Sequence, residues 1–384
     1  MKKIPYGRQN ITNEDIEAVI EVLKSDFLTQ GPNIKIFEEA FAAYIGCKYA
    51  VAVSNGTAAL HLNAMALNVK PGDKVITTPI TFVASANCVR YCGGEVIFGD
   101  IDPKTYLLDI ESVRAILESD KNREIKGIIP VNFAGRCVNL EAFRKLADEF
   151  GCWIIEDACH SPGGYFVNSQ GEKVNSGNGR YAELSIFSFH PVKHIASGEG
   201  GMITTNDESL YKRLLILRSH GIQQDLSLRI HDDSLWYYEM QELGYNYRLT
   251  DFQAALGTSQ LKRAHEGLNR RKEIAEIYTK AFEGKPFIKG MSGLQEGHAY
   301  HLFVLEVDRR KELHSFLREN DIFAQIHYIP AHLMPYYRDF GWKEGDLKNA
   351  EEYYKHCISI PMYPTLTNEE QQYVINTICS FYGV

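Results

Sequence analysis

The sequence has no apolar run approaching about 18 residues, so it offers no membrane-spanning helix. It has no CxxC pair. The eight cysteines are scattered, and the nearest spacings, Cys88 to Cys92 and Cys152 to Cys159, lack the partners of a zinc site. It has no excess of basic charge: 41 Lys and Arg stand against 49 Asp and Glu, a formal net charge of −8. That argues against a nucleic-acid surface and leaves room for a local basic pocket around a small anion. There is no GxxxxGK and no well-placed GxGxxG, which excludes the standard nucleotide loops. Neither an internal repeat nor a low-complexity segment is present. The N-terminal MKKIPYGRQNITNEDIEAV carries two lysines with no apolar core behind them, so it does not read as a signal peptide. Without such a leader the cysteines read as reduced, mostly buried apolar residues, and the expected compartment is the cytoplasm.

What is present is an ordinary globular composition, 45% hydrophobic and 23% charged over 384 residues. That length suits a large domain of about 250 residues and a smaller one. In the first two-thirds, short apolar runs alternate with helical patterns. YAVAVS, KVITT, EVIFGDID, KGIIPVNF, CWIIEDA, ELSIFSF and GMITTN read as strands. NGTAALHLNAMAL, TFVASANCVRYC and NLEAFRKLADEF read as helices. This alternation predicts an α/β fold with a mainly parallel sheet covered on both faces. A helical pattern from Thr250 to about Phe282 reads as a connector. After it come a strand (HLFVLEVD), a helix (RKELHSFLREN), a strand (IFAQIHYI) and two helices (NAEEYYKHC and NEEQQYVINTICSFY). The expected division is a large domain over 1–250, including the N-terminal segment, and a connecting helix with a small C-terminal α/β domain over 251–384.

Ligands of open parallel sheets bind where strands end and helices begin. Four polar clusters fall at such places. In SNGTAAL (54–60), free backbone N–H groups at a helix start can hold a phosphate, or Ser54 or Asn55 simply caps the helix. In IIEDACHSPGG, Glu156 and Asp157 close an apolar strand and His160 follows. The aspartate either caps the next helix or pairs with a protonated ring nitrogen of a ligand. In SFHPVKHIASGEGG, Lys193 sits in a turn after an apolar strand. Most lysines are solvated charges, but one desolvated here becomes a nucleophile for a carbonyl, with Ser188 offering its hydroxyl to a phosphate. In TFVASAN, Phe82 starts a helix, where its ring either stacks on a flat ligand or packs in the core. A phosphate cradle, a ring stacker, an aspartate for a pyridinium nitrogen and a lysine for an aldehyde together are what pyridoxal 5'-phosphate (PLP) requires.

SNGTAAL, EDACHSPGG, SFHPVKHIASGEGGM, RSHGI and GYNYRLTDFQAALG resemble the nucleotide-sugar aminotransferases of the DegT/DnrJ/EryC1/StrS family, over nearly the whole chain. The resemblance implies a type I aspartate-aminotransferase fold, PLP as cofactor and a homodimer with active sites at the subunit interface. By motif, Lys193 matches the lysine that binds the cofactor's aldehyde, and Asp157 the partner of its ring nitrogen. Gly56, Thr57 and Ser188 match the phosphate cradle, Phe82 the stacking ring, and His160 a residue near the ring. Asn246 matches an asparagine that reaches the phosphate of the partner subunit's cofactor. Arg248 beside it, and His327 and His332 in HYIPAH, are expected on the nucleotide-sugar side. Ala196 and Ser197 stand where a Thr pair is expected. A subgroup with histidine in place of the lysine performs dehydration; the lysine here favours transamination. Within the family, the opening YGRQNITNEDIEAVIEVLKSDFLTQGP and SFHPVKHI with GEGGM are most similar to the branch that aminates C4 of a UDP-keto-sugar for pseudaminic acid, with L-glutamate as donor. A dTDP-keto-hexose or a UDP-4-keto-pentose would use the same cofactor site. A PLP-binding sensor without turnover is a further alternative, although no DNA-binding segment is visible. A nicotinamide dehydrogenase fits poorly, since GxGxxG is missing.

Overall fold

The structure, a computed structural model, describes residues 3–223, 230 and 236–384. Seven strands form the central sheet: β1 (Tyr49–Val53), β2 (Lys74–Thr77), β3 (Glu95–Phe98), β4 (Ile125–Ile129), β5 (Trp153–Asp157), β6 (Leu184–Ser188) and β7 (Gly201–Thr205). Their order is β1-β7-β6-β5-β4-β2-β3. Pairs from β6 through β5, β4 and β2 to β3 are parallel, and β7 runs antiparallel to both β6 and β1. The strands are apolar on both faces because helices cover both: Val51, Val53, Ile128, Ile154, Leu184 and Ile186 are fully buried. All seven expected strands are therefore present, in a mixed, mainly parallel sheet.

The covering helices follow local rules. In Leu140–Phe150, Leu140, Phe143, Leu146 and Ala147 recur at helical spacing and are buried. Asn139 caps the start by accepting from the Ala142 amide, and Gly151 ends it in the left-handed region at φ 73°. Helix Pro32–Ile45 has glycine at its N-cap, and its cap comes from elsewhere: Asp251 accepts from the amides of Gly31 (2.7 Å) and Asn33 (2.9 Å). Among the described residues no helix is long and apolar enough to cross a membrane.

Three of the expectations are corrected. The helical pattern after Thr250 is two helices, Asp251–Lys262 and Ala264–Phe282, broken at Arg263. The first packs with Pro32–Ile45 in a core shared with Phe187, Phe189 and Met202 of the large sheet region. A separate core begins at Ile274 and includes Ile4, whose short strand Ile4–Pro5 pairs with Ile322–Phe323. That core surrounds an antiparallel sheet of β8 (Ile288–Met291), β9 (Phe303–Val307) and β10 (Cys357–Ile360), of which only β9 was legible. Finally, IFAQIHYI is a strand only over Ile322–Phe323; apart from a bridge between Gln325 and Ser359, the rest leaves the sheet and runs to the site described next.

Candidate active site

A cavity of about 970 Å³ opens where β1, β2, β4, β5 and β6 end. Gly56, Thr57, Phe82, Asp157, His160, Ser188, Lys193 and His327 all line it. Among these eight residues the tertiary fold thus gathers positions up to 271 apart, from Gly56 to His327.

One end is built by β1 and the helix Gly56–Ala66. Asn55 caps that helix through Ala58 N at 2.8 Å, so the first-turn amides around Gly56 and Thr57 stay free to face an anion. A Cβ on Gly56 would lie 3.0 Å from Ser188 Cβ and 3.4 Å from its Oγ. Glycine is therefore what keeps the space between helix start and Ser188 open.

The middle is built by the end of β5. Strand alternation sends its two acids to opposite faces. Glu156 points away from the cavity and accepts from Asn132, Ser176, Ser185 and the Gly177 amide; burial pushes its carboxyl up. Asp157 points into it, accepting from Ser85 Oγ at 2.6 Å and from the Cys159 amide at 3.1 Å. Phe82 precedes its helix, which starts at Ala84, by two residues. Its ring is 61% exposed, so it is a plate at the cavity wall and not a core residue.

The opposite wall carries Lys193 in the turn after β6. Burial lowers its affinity for a proton, against the raising effect of Cys159 and Asp157, and Arg271 adds to the lowering. A ring of imidazoles surrounds it. His160, His194 and His301 are held well below the ordinary histidine range, and His327 is pushed down to about 3, in each case chiefly by burial. His160 Nδ1 accepts from Ala134 N at 3.2 Å, which assigns the ring proton to Nε2, 3.3 Å from Tyr328 OH. His327 bonds Ser359 Oγ at 2.9 Å, and its ring lies 5.2 Å from that of Tyr6.

Three expected residues do not line the cavity. His332 is fully buried elsewhere, 3.1 Å from Glu351 and packed near Phe98 and Trp342. Its partner Glu351, in helix Lys348–His356, also accepts from the amides of Gly345 and Leu347 in the loop before that helix. Arg248 pairs its backbone with Val53, and its Nε is buried without a partner. Asn246 is exposed, although its neighbour Tyr247 reaches the cavity. Ala196 and Ser197 lie behind the wall, buried and outside the lining. Sequence reasoning missed Ser85, His301, Tyr6 and Tyr328. Ser85 and Tyr328 had a local signal, lying in the segments already marked by Phe82 and by His327.

The donor set fits PLP. The open space beside Ser188 suits a phosphate, the exposed Phe82 ring a flat heterocycle, the Asp157 carboxylate a protonated ring nitrogen, and the desolvated amine an aldehyde. Residues 9–379 match the DegT/DnrJ/EryC1/StrS aminotransferase family. The chain is 38% identical over 384 residues to the spore coat polysaccharide biosynthesis protein SpsC of Bacillus subtilis, covering 98% of this chain and 96% of that one. It is 35% identical over 383 residues to the UDP-4-amino-4,6-dideoxy-N-acetyl-beta-L-altrosamine transaminase of Campylobacter jejuni, covering 98% and 97%. Helicobacter pylori PseC, an aminotransferase involved in the biosynthesis of pseudoaminic acid, superposes with a TM-score of 0.88 at 31% identity over 99% of both chains. A putative sugar aminotransferase of Streptococcus pneumoniae in its pyridoxamine phosphate (PMP) form superposes with a TM-score of 0.89 at 27% identity over 98% of both, and its PLP form is also similar. The chain belongs to the DegT/DnrJ/EryC1/StrS aminotransferase family and is a PLP-dependent sugar aminotransferase of fold type I.

Proposed function

We propose that the enzyme moves an amino group from L-glutamate to C4 of UDP-2-acetamido-2,6-dideoxy-β-L-arabino-hex-4-ulose. The product is UDP-4-amino-4,6-dideoxy-N-acetyl-β-L-altrosamine, made in the cytoplasm for pseudaminic acid synthesis. The observation that carries this is the 35% identity to the Campylobacter transaminase, sustained over 98% of the chain.

In this reading Gly56, Thr57 and Ser188 hold the cofactor's phosphate, Phe82 covers its ring and Asp157 keeps its ring nitrogen protonated. The bound cofactor supplies an electron sink for the carbon that loses its proton. Lys193 Nζ takes the proton from the α-carbon of glutamate, and in the second half-reaction delivers one to C4 of the sugar. His160 supports the site from the ring side, and His327 faces the sugar. The enzyme works as a homodimer. Asn246 and Arg248, which miss their own cavity, serve the partner's site.

A second reading is another nucleotide keto-sugar, such as a dTDP-keto-hexose or a UDP-4-keto-pentose: the identity to SpsC, whose name specifies polysaccharide biosynthesis and no pseudaminic acid precursor, is higher, at 38%. The purified enzyme, loaded with PLP and given L-glutamate, separates the two. The UDP-keto-sugar should gain an amino group at C4, seen by mass and by NMR of the product, as 2-oxoglutarate accumulates. Preference for a dTDP-keto-sugar would remove the nucleotide assignment. Glutamate turnover with none of these sugars aminated would remove the sugar assignment.

A further inference from the structure

We propose that His301 is a positioning residue for Lys193: its Nε2, 3.5 Å from Nζ, hydrogen-bonds the amine and holds the tip of that side chain in place beside the cavity. The inference rests on Lys193 being the cofactor lysine. It concerns the interval when that amine is free, the moment at which it must move a proton.

Four observations carry it. First, His301 is the one hydrogen-bond partner of the Lys193 amine among the described residues. Second, His301 Nδ1 is buried without a partner, so Nε2, the nitrogen that faces Lys193, carries the ring's hydrogen bond. Third, burial lowers the proton affinity of both groups and Arg271 adds to the lowering, which works against two like charges at this contact. Asp157 and Cys159 pull the amine toward its charged form, while His160, His194 and His327 complete the titratable groups around it. Fourth, His301 is held through both its ring and its backbone. It lies 4.2 Å from the His160 ring at 35°, and buried Arg271 donates to the carbonyls of Tyr300 (3.1 Å) and His301 (3.2 Å). Gly135, at φ 104°, passes so close that a Cβ would lie 2.9 Å from His301 N and 3.0 Å from His160 O. A flexible four-carbon side chain is thus tied at its tip to a rigid ring.

Two measurements test this. In the full-length protein freed of cofactor, 15N NMR of labelled histidine should show a His301 Nε2 signal that moves in Lys193→Ala by more than its Nδ1 signal does. Single-turnover conversion with glutamate in the loaded enzyme should slow about tenfold or more in His301→Phe, with the apparent glutamate affinity unchanged. His301→Gln, which can still hydrogen-bond the amine, should recover most of the loss. An Nε2 signal indifferent to Lys193→Ala overturns the proposal even if His301→Phe does not fold. So do wild-type rates in His301→Phe, or equal losses in the Phe and Gln variants, which would mean packing alone. Turnover surviving in Lys193→Ala would instead remove the role of Lys193, a separate failure.

Discussion

Ser85 donates a hydrogen bond to Asp157 at 2.6 Å, and Ser85 and Thr81 hydroxyls are 2.8 Å apart. The helix after β2 thereby fixes a carboxylate at the end of β5. Both partners are buried. Ser85→Ala should cost about 1–3 kcal/mol of stability, since one partner of a charge-assisted bond is lost. It should also lower turnover on the order of tenfold by loosening Asp157. Thermal unfolding and steady-state rates check this; a variant with wild-type rate would show that Asp157 needs no such anchor.

Asn246 and Lys193 should complement each other across subunits. Lys193→Ala and Asn246→Ala homodimers are each expected to be nearly inactive. Unfolded together and refolded, they should yield heterodimers with one intact site, about a quarter of wild-type activity in a random mixture. No recovery on mixing, or full activity in Asn246→Ala alone, would place Asn246 outside the partner's site.

His332 is a structural residue here, bonded to Glu351 inside the fold. His332→Phe should lose about 2 kcal/mol of stability and leave KM for the sugar unchanged. A severalfold rise in KM at unchanged stability would return His332 to the substrate pocket.

Acid should destabilise the protein through its buried histidines. His327, with an ordinary value of 6.5, is pushed to about 3, and His160, His194, His298 and His301 are lowered as well. Below about pH 6.5 the unfolded chain binds protons that the folded chain refuses. Their contribution is therefore complete above that pH and is lost as pH falls below it, for His327 toward about 3. The thermal midpoint should drop between about pH 7 and pH 5, before carboxylates titrate, and His327→Gln should flatten the slope. A midpoint that stays level over that window would contradict the buried neutral cluster.

The sequence by itself determined the seven strands, since each is a short apolar run between turns and both faces of the sheet are covered. It also determined the residues at strand ends. Asp157, Ser188 and Lys193 carry local signals, and a parallel sheet brings such ends together on one edge. What it could not decide depends on contacts between distant segments. His301 meets Lys193 across 108 residues, and nothing in HAYHLF marks it apart from other histidines. His332 sits five residues after His327 in the same motif, yet a turn of the chain sends one into the cavity and the other to Glu351. Likewise Glu156 and Asp157 are adjacent acids, and only the pleat, packed between layers, decides which one faces the ligand. Local pattern fixes which elements form; which side chains meet is set by how those elements pack, because burial and hydrogen bonding act through space and not along the chain.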